Sequence, residues 1–237
     1  MRLCFIFFCI SLHLITINLF AQPQKSKSGH GQENWVIEEV FNHKKGGYFV
    51  DLAAADGLMQ SNTYRLETEF AWQGICIEAN PFTFEKLKKN RNCILIKECI
   101  DATNREVQFV AMGLIGGILA DDTRVNFEDK NRKEIMKQAL KDGLIIIVYT
   151  KTLEQVLDEA QAPSIIDYLS LDVEGAELRV LKYFPFEKYV FLTMSIEKPG
   201  EELHAILLNN GYIFIKRVGL DSLYIHESIQ NLLKEID

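Results

Sequence analysis

Residues 48–57, YFVDLAAADG, decide the fold. Tyr48, Phe49, Val50 and Leu52 form a short apolar run broken only by Asp51, and three alanines, an acid and a glycine follow. Such a run reads as a strand buried on both faces, the kind found in parallel sheets. Small side chains after it let backbone N–H groups approach a ligand, and Gly57 can take a positive φ that other residues resist.

The same punctuation repeats downstream. Residues 61–71 predict a helix capped by Ser61 or Asn62, 74–78 a second strand, 81–89 a helix with Pro81 at its first position, and 93–100 a third strand. Residues 106–112 form a further extended segment. Residues 121–142 are dense in both charge signs, with helical material around 133–140; they read as a solvated insertion, with a lid over a substrate as the alternative. Strands at 145–149, 166–171 and 189–197 alternate with helices at 152–160, 176–184 and 201–210, the last stopped by Gly211. Residues 212–216 and 222–226, joined through Gly219, form a closing hairpin. This order predicts an α/β fold: a doubly wound, mainly parallel Rossmann-like sheet with an antiparallel C-terminal edge.

Upstream, residues 3–23 carry no charge, and LCFIFFCISLHLITINLF (3–20) follows Arg2. Residues 1–21 are expected to be a signal peptide or an uncleaved signal anchor; both stand, because Ala21 is a plausible cleavage point and the run nears bilayer-spanning length. Ser11, His13, Thr16 and Asn18 dilute the run, which keeps a buried N-terminal helix as a third reading. The expectation is an exported or membrane-associated protein, with membrane contact through residues 3–20, in the secretory pathway if the source is eukaryotic. Residues 22–34, rich in Gln, Lys, Ser and Gly, read as a flexible tether, and the folded domain as 35–237.

The chain has 237 residues, 48% hydrophobic and 25% charged, enough for one full core. Its net charge of −7 and the lack of a basic stripe argue against nucleic acid as the main partner. Of five cysteines, Cys4 and Cys9 fall in the leader; Cys76, Cys93 and Cys99 read as buried small residues on strands, with at most one disulfide among them. No Cys/His cluster points to zinc, so no metal ligand is assigned. His30, His43, His204 and His226 show no triad or ligand spacing. Trp72, Phe82, Phe84, Phe184 and Phe186 fit a core, and Gly116-Gly117 fits a turn better than the border of an acceptor pocket.

Four acids, Asp51, Glu78, Asp101 and Asp172, each end or follow an apolar strand. In open α/β sheets ligands sit outside the carboxyl ends of the strands, where strand order reverses. A carboxylate there, as at Glu78, can accept both hydroxyls of a ribose.

The blocks FVDLAAADG (49–57), GICIEANPFTFEKLKKNR (74–91) and DYLSLDVEGAELRVL (167–181) resemble, in order, those of FkbM-type methyltransferases, and most resemble the branch that includes Star-type proteins of the secretory pathway. The resemblance implies the class I methyltransferase type of sheet and S-adenosyl-L-methionine as cofactor. The loop with Asp51, Ala53, Ala55 and Gly57 would wrap its methionine and ribose portion, Glu78 would bind the ribose hydroxyls, and Asp101 with Ala102 would border the adenine. Asp172 would lie beside the sulfonium, with Glu174 and Glu197 on the acceptor side; these three are the catalytic candidates. The family's loop usually has glycine in place of Ala53 and often asparagine in place of Ala55, so a methyl group narrowing the pocket leaves weakened binding open. The implied reaction is methyl transfer to a hydroxyl or similar nucleophile of a small-molecule or glycan acceptor. The alternative is a catalytically weak or inactive relative acting in trafficking or partner binding. Nicotinamide binding is weaker, because G-x-G-x-x-G is absent. Acceptor and oligomeric state are not legible.

Overall fold

A computed structural model describes residues 27–123 and 130–229. The leader and residues 22–26 of the tether lie outside the described residues. Among the described residues no helix is long and apolar enough to cross a membrane.

Seven strands form the main sheet: β1 (Tyr48–Leu52), β2 (Gln73–Ile77), β3 (Ile94–Ile96), β8 (Ile165–Leu171), β9 (Val190–Glu197), β10 (Tyr212–Val218) and β11 (Asp221–His226). Their order is β10-β11-β9-β8-β1-β2-β3. The pairs from β9 through β3 are parallel, and β11 runs antiparallel to both β9 and β10. The expected hairpin therefore forms, and its second strand slots in next to β9 while β10 takes the outer edge. Strand order reverses between β1 and β8, where Asp51 stands opposite Ser170.

Strand β1 shows why the sheet is covered on both sides. Val50 and Leu52 join one core cluster with Leu153, Leu157, Leu181 and Leu203, while Phe49 joins a second with Trp35, Leu66 and Leu87. Successive residues point to opposite faces. The first cluster takes in helices α5 (Leu153–Glu159), α6 (Glu177–Leu181) and α7 (Gly200–Asn209). The second takes in α2 (Tyr64–Phe70) and α3 (Pro81–Asn90), and also α1 (Gln32–Asn34) continuing as a π-helix over Trp35–Val40. Asp51 shares the face of Phe49, toward α2 and α3.

A second, four-stranded sheet has the order β4-β7-β5-β6, from β4 (Cys99–Ile100), β5 (Glu106–Val110), β6 (Gly117–Ile118) and β7 (Ile145–Lys151). The single strand expected over 93–100 is thus split between two sheets, and the strand near 145–149 leaves the main βαβ series. Helix α4 (Lys130–Lys141) packs Ala139 against Val110 of this side sheet.

Two further readings change. Residues 27–34 are packed rather than a free tether: Glu33 is fully buried and accepts from Lys27 N, and Gln32 donates to Asp221 Oδ2 at 2.8 Å. Phe82 is 59% exposed instead of in the core, whereas Trp72, Phe184 and Phe186 are buried.

Candidate active site

Helix α2 starts at Tyr64, three residues later than expected, because the side chains before it are used elsewhere. Ser61 Oγ accepts from Thr63 N and Tyr64 N, Asn62 donates to Ser170 Oγ at 3.1 Å, and Thr63 Oγ1 donates to Asp51 Oδ2 at 2.6 Å. Beneath them lies Arg91, just past the end of α3, with a side chain wholly shielded from solvent. Its Nε pairs with Glu67 Oε2, Nη1 donates to Gly57 O and Ser61 Oγ, and Nη2 to Thr63 O and Thr63 Oγ1. One buried cation thereby gathers the segment 57–67 against β1. Burial works against its charge, but Cys76, Asp51, Cys93 and Glu67 nearby hold the guanidinium above its ordinary value. Burial raises Asp51 in turn, and Arg91, Thr63 and Ser170 oppose that rise.

Gly57 is where this segment cannot accept a side chain. Its φ is +73°, and an added Cβ would lie 2.5 Å from Leu87 Cδ1 and 2.6 Å from Arg91 Cγ. Ala53 and Ala55 take positive φ too, at +59° and +49°, a region costly for a residue with a Cβ. Glu78, at the end of β2, holds this bend: Oε2 accepts from Ala55 N at 2.8 Å and Oε1 from Asn80 N at 2.7 Å. Burial raises the Glu78 carboxyl, and these two N–H donors restrain the rise.

Beyond β8, Asp172, Glu177 and Glu197 each bring one carboxylate oxygen within 4.8 Å of the others. Glu177 Oε1 accepts from Val173 N and Gly175 N, fixing the turn that carries Glu174 at φ +55°. Asp172 keeps an exposed surface at the cleft, yet lost hydration around its carboxyl, then the charge of Glu197 and a hydrogen bond with it, then Glu174 and Glu177, push it up to about 9. A carboxyl–carboxylate bond of this kind needs one proton, which is the direction in which Asp172 is shifted. Three hard oxygens this close are also a donor set that a divalent cation could share.

All of this surrounds one cleft at the carboxyl ends of β1, β2 and β8. It encloses about 1010 Å³ of empty space, a figure that counts its open mouth. Asp51, Ala53, Ala55, Glu78, Asp172 and Glu174 line it, and the side sheet faces them with Phe109, Gly116, Gly117 and Ile118. Gly116-Gly117 is therefore part of a pocket wall, not a plain turn.

A family model described as the methyltransferase FkbM domain matches residues 51–214. The chain belongs to the FkbM methyltransferase family. No curated protein sequence matches it. Solved structures similar to this FkbM domain include the human methyltransferase 10 domain containing protein, with 14% identity over 82% of this chain and 81% of that one at a TM-score of 0.42. The METTL16 MTase domain has 16% identity over 82% of this chain and 65% of its own length, at 0.40. Precorrin-6y C5,15-methyltransferase from Geobacter metallireducens GS-15 has 8% identity over 81% and 84%, at 0.40. At those scores the fold assignment of the FkbM domain rests on its own strand order.

The family's cofactor is S-adenosylmethionine, and the cleft suits its chemistry. Asn62 in the cleft wall has a buried Oδ1 with no hydrogen-bond partner among the described residues, an acceptor for an ammonium. Glu78 stands in the cleft lining just past the end of β2, and the strand-order reversal opens directly onto the cavity. Of the residues expected from sequence, Gly57, Asp101, Ala102 and Glu197 lie outside the lining. Gly57 packs underneath. Glu197 reaches the site through Asp172. Asp101 is saturated by Arg179 Nε and Nη2 at 2.8 and 2.7 Å, Arg105 Nε at 2.8 Å and Ala102 N at 2.8 Å. It ties α6 to the side sheet, and Glu98, Cys99 and Ile100 line the cleft on that side instead. Arg91, Ser170 and Glu177 were not singled out from sequence, and Asn62 only as a helix cap; the one cue was a lone Arg closing a lysine-rich helix, which looks like any solvated end.

Proposed function

We propose that this FkbM domain methylates a hydroxyl or similar nucleophile of a small-molecule or glycan acceptor. The observation that supports it best is the convergence of the Asp172, Glu177 and Glu197 carboxylates within 4.8 Å of one another beside a cleft whose far wall carries Glu78 and the Ala53–Ala55 bend. When bound, S-adenosylmethionine supplies an electrophilic methyl group on a sulfonium. Glu78 and Asn62 would hold the ribose and ammonium ends, and the negative charge shared by Asp172 and Glu197 would favour a cation close by. The same pair, with Glu174 on the rim, would orient an acceptor hydroxyl and take its proton. Alignment and exclusion of water account for the absence of a nucleophile among these groups.

Tritiated-methyl S-adenosylmethionine offered with the purified full chain and a glycan and small-molecule extract should label a product. Label should fall at least tenfold in Glu197→Gln. A chain that binds S-adenosylhomocysteine yet labels nothing above that variant contradicts the reading.

One observation favours a second reading, a partner-binding module that has lost turnover. Ala53 places a methyl group in the cleft at a strained φ, where the family usually has glycine. Residues 1–21 as a signal or anchor would deliver either activity to a membrane or exported compartment; S-adenosylmethionine is made in the cytosol, so a domain beyond the membrane needs imported cofactor or serves the second role.

A further inference from the structure

Cys76 lies in β2, fully buried, on the face shared with Phe49 and Leu87. Cys93 immediately precedes β3 and is half-buried. Their sulfurs are 3.4 Å apart, with the Cys93 thiol donating to Cys76 Sγ. Cys99 belongs to a different core cluster, in the side sheet. A disulfide holds its sulfurs at about 2.05 Å, so the pair must close by only about 1.4 Å.

We infer that Cys76 and Cys93 are a cross-linking site, forming one intrachain disulfide whenever the domain meets a disulfide-bearing oxidant such as glutathione disulfide. The exposed side of the pair fixes the sequence of events. The Cys93 thiolate attacks the oxidant's S–S bond, forming a mixed disulfide and releasing one thiol. The Cys76 thiolate then attacks Cys93 Sγ, the mixed disulfide breaks and the second thiol leaves. Two protons are given to the departing thiolates, two protein sulfurs are oxidised and one small disulfide is reduced to two thiols. The Arg91 guanidinium close to Cys76 opposes part of the rise that burial imposes on that thiol. Burial pushes the Cys76 thiol well up, which leaves the more accessible Cys93 to react first.

What the bond would staple gives it meaning. The 17-residue separation between the two cysteines contains Glu78, Asn80, all of α3 and Arg91. Those are the groups that hold the Ala55 bend and the 57–67 segment. A bridge at the base of this segment restricts the unfolded chain and ties both supports of the cleft wall together.

The test uses the wild-type full chain, so it does not depend on a variant folding. The protein is equilibrated, native, with glutathione disulfide, its remaining thiols are blocked with N-ethylmaleimide, and it is mapped by mass spectrometry without reduction. The expected result is a Cys76–Cys93 linked peptide, 2 Da lighter than the two reduced peptides combined, and an unlinked Cys99. The melting temperature should rise by about 5 °C and return on adding dithiothreitol. In Cys76→Ser the same treatment should leave a stable glutathione adduct on Cys93. Full alkylation of both thiols, a bridge to Cys99, a bridge that forms only after denaturation, or a fall in melting temperature on bridging would each overturn the inference.

Discussion

Replacing Arg91 with methionine tests whether one buried cation organises the cofactor side of the cleft. The substitution keeps a long side chain and removes five hydrogen bonds to Glu67, Gly57, Ser61 and Thr63. Breaking a buried ion pair by removing one partner costs about 3–5 kcal/mol, because the remaining charge is left without compensation. Asp51, already raised by burial, can limit that loss by taking up a proton, so the lower half of the range is expected, about 3–4 kcal/mol. For a chain of this size each kcal/mol moves the melting temperature by about 2–4 °C, which puts the expected fall near 10 °C. Circular dichroism melts at pH 7 measure it. Adding Asp51→Asn to Arg91→Met should return about 1–2 kcal/mol, since the stranded acid is then neutral. A fall below about 2 °C, or strictly additive effects of the two substitutions, would refute the idea that Arg91 and Asp51 are coupled.

The remaining predictions concern the bend and the acidic pair. Ala53→Gly relieves a Cβ at φ +59° and should stabilise the chain by roughly 0.5–1 kcal/mol, read as a melting temperature about 2–3 °C higher. A lower value would show that the alanine conformation is not strained. Gly57→Ala puts a methyl 2.5 Å from Leu87 Cδ1 at φ +73° and should cost at least about 2 kcal/mol by urea unfolding. Asp172 has a folded-state pKa raised above its unfolded value of about 3.9. The folded chain therefore holds the extra proton between the two values, and stability falls as pH rises through that window up to about 9. Asp172→Asn removes this slope, so the stability difference between variant and wild type should grow from pH 5 to pH 8; a constant difference would show that Asp172 does not hold the proton.

Elements set by local chemistry were legible in the sequence. Pro81 at the start of α3, the helix that follows Thr152 and the apolar runs of β1, β2, β8 and β9 all stand where patterning put them. Of the four acids at strand ends, Asp51, Glu78 and Asp172 do line the cleft. What escaped was set by contacts distant in sequence. Residues 93–100 look like one strand, and only the pairing of Cys99 with Thr150 shows that the second half belongs elsewhere. Asp101 resembles Glu78 in sequence, yet Arg179, 78 positions away, decides that it serves structure. Arg91 closes a basic helix face, and nothing local marks it as buried. Asn62 reads as a helix cap because its partner Ser170 is invisible to a pattern, and Thr63 carries no cue that it bonds to Asp51.

Calorimetric titration of the full chain with S-adenosylhomocysteine, alongside Glu78→Gln, is the most direct check that one nucleoside-sized cleft is bounded by Glu78 and Asp172. One molecule should bind per chain, and the variant, with one carboxylate oxygen replaced by an amide, should bind at least tenfold more weakly while its circular dichroism shows it folded at the titration temperature. Absence of heat from a demonstrably folded wild-type chain, or equal affinity in the variant, would contradict the account.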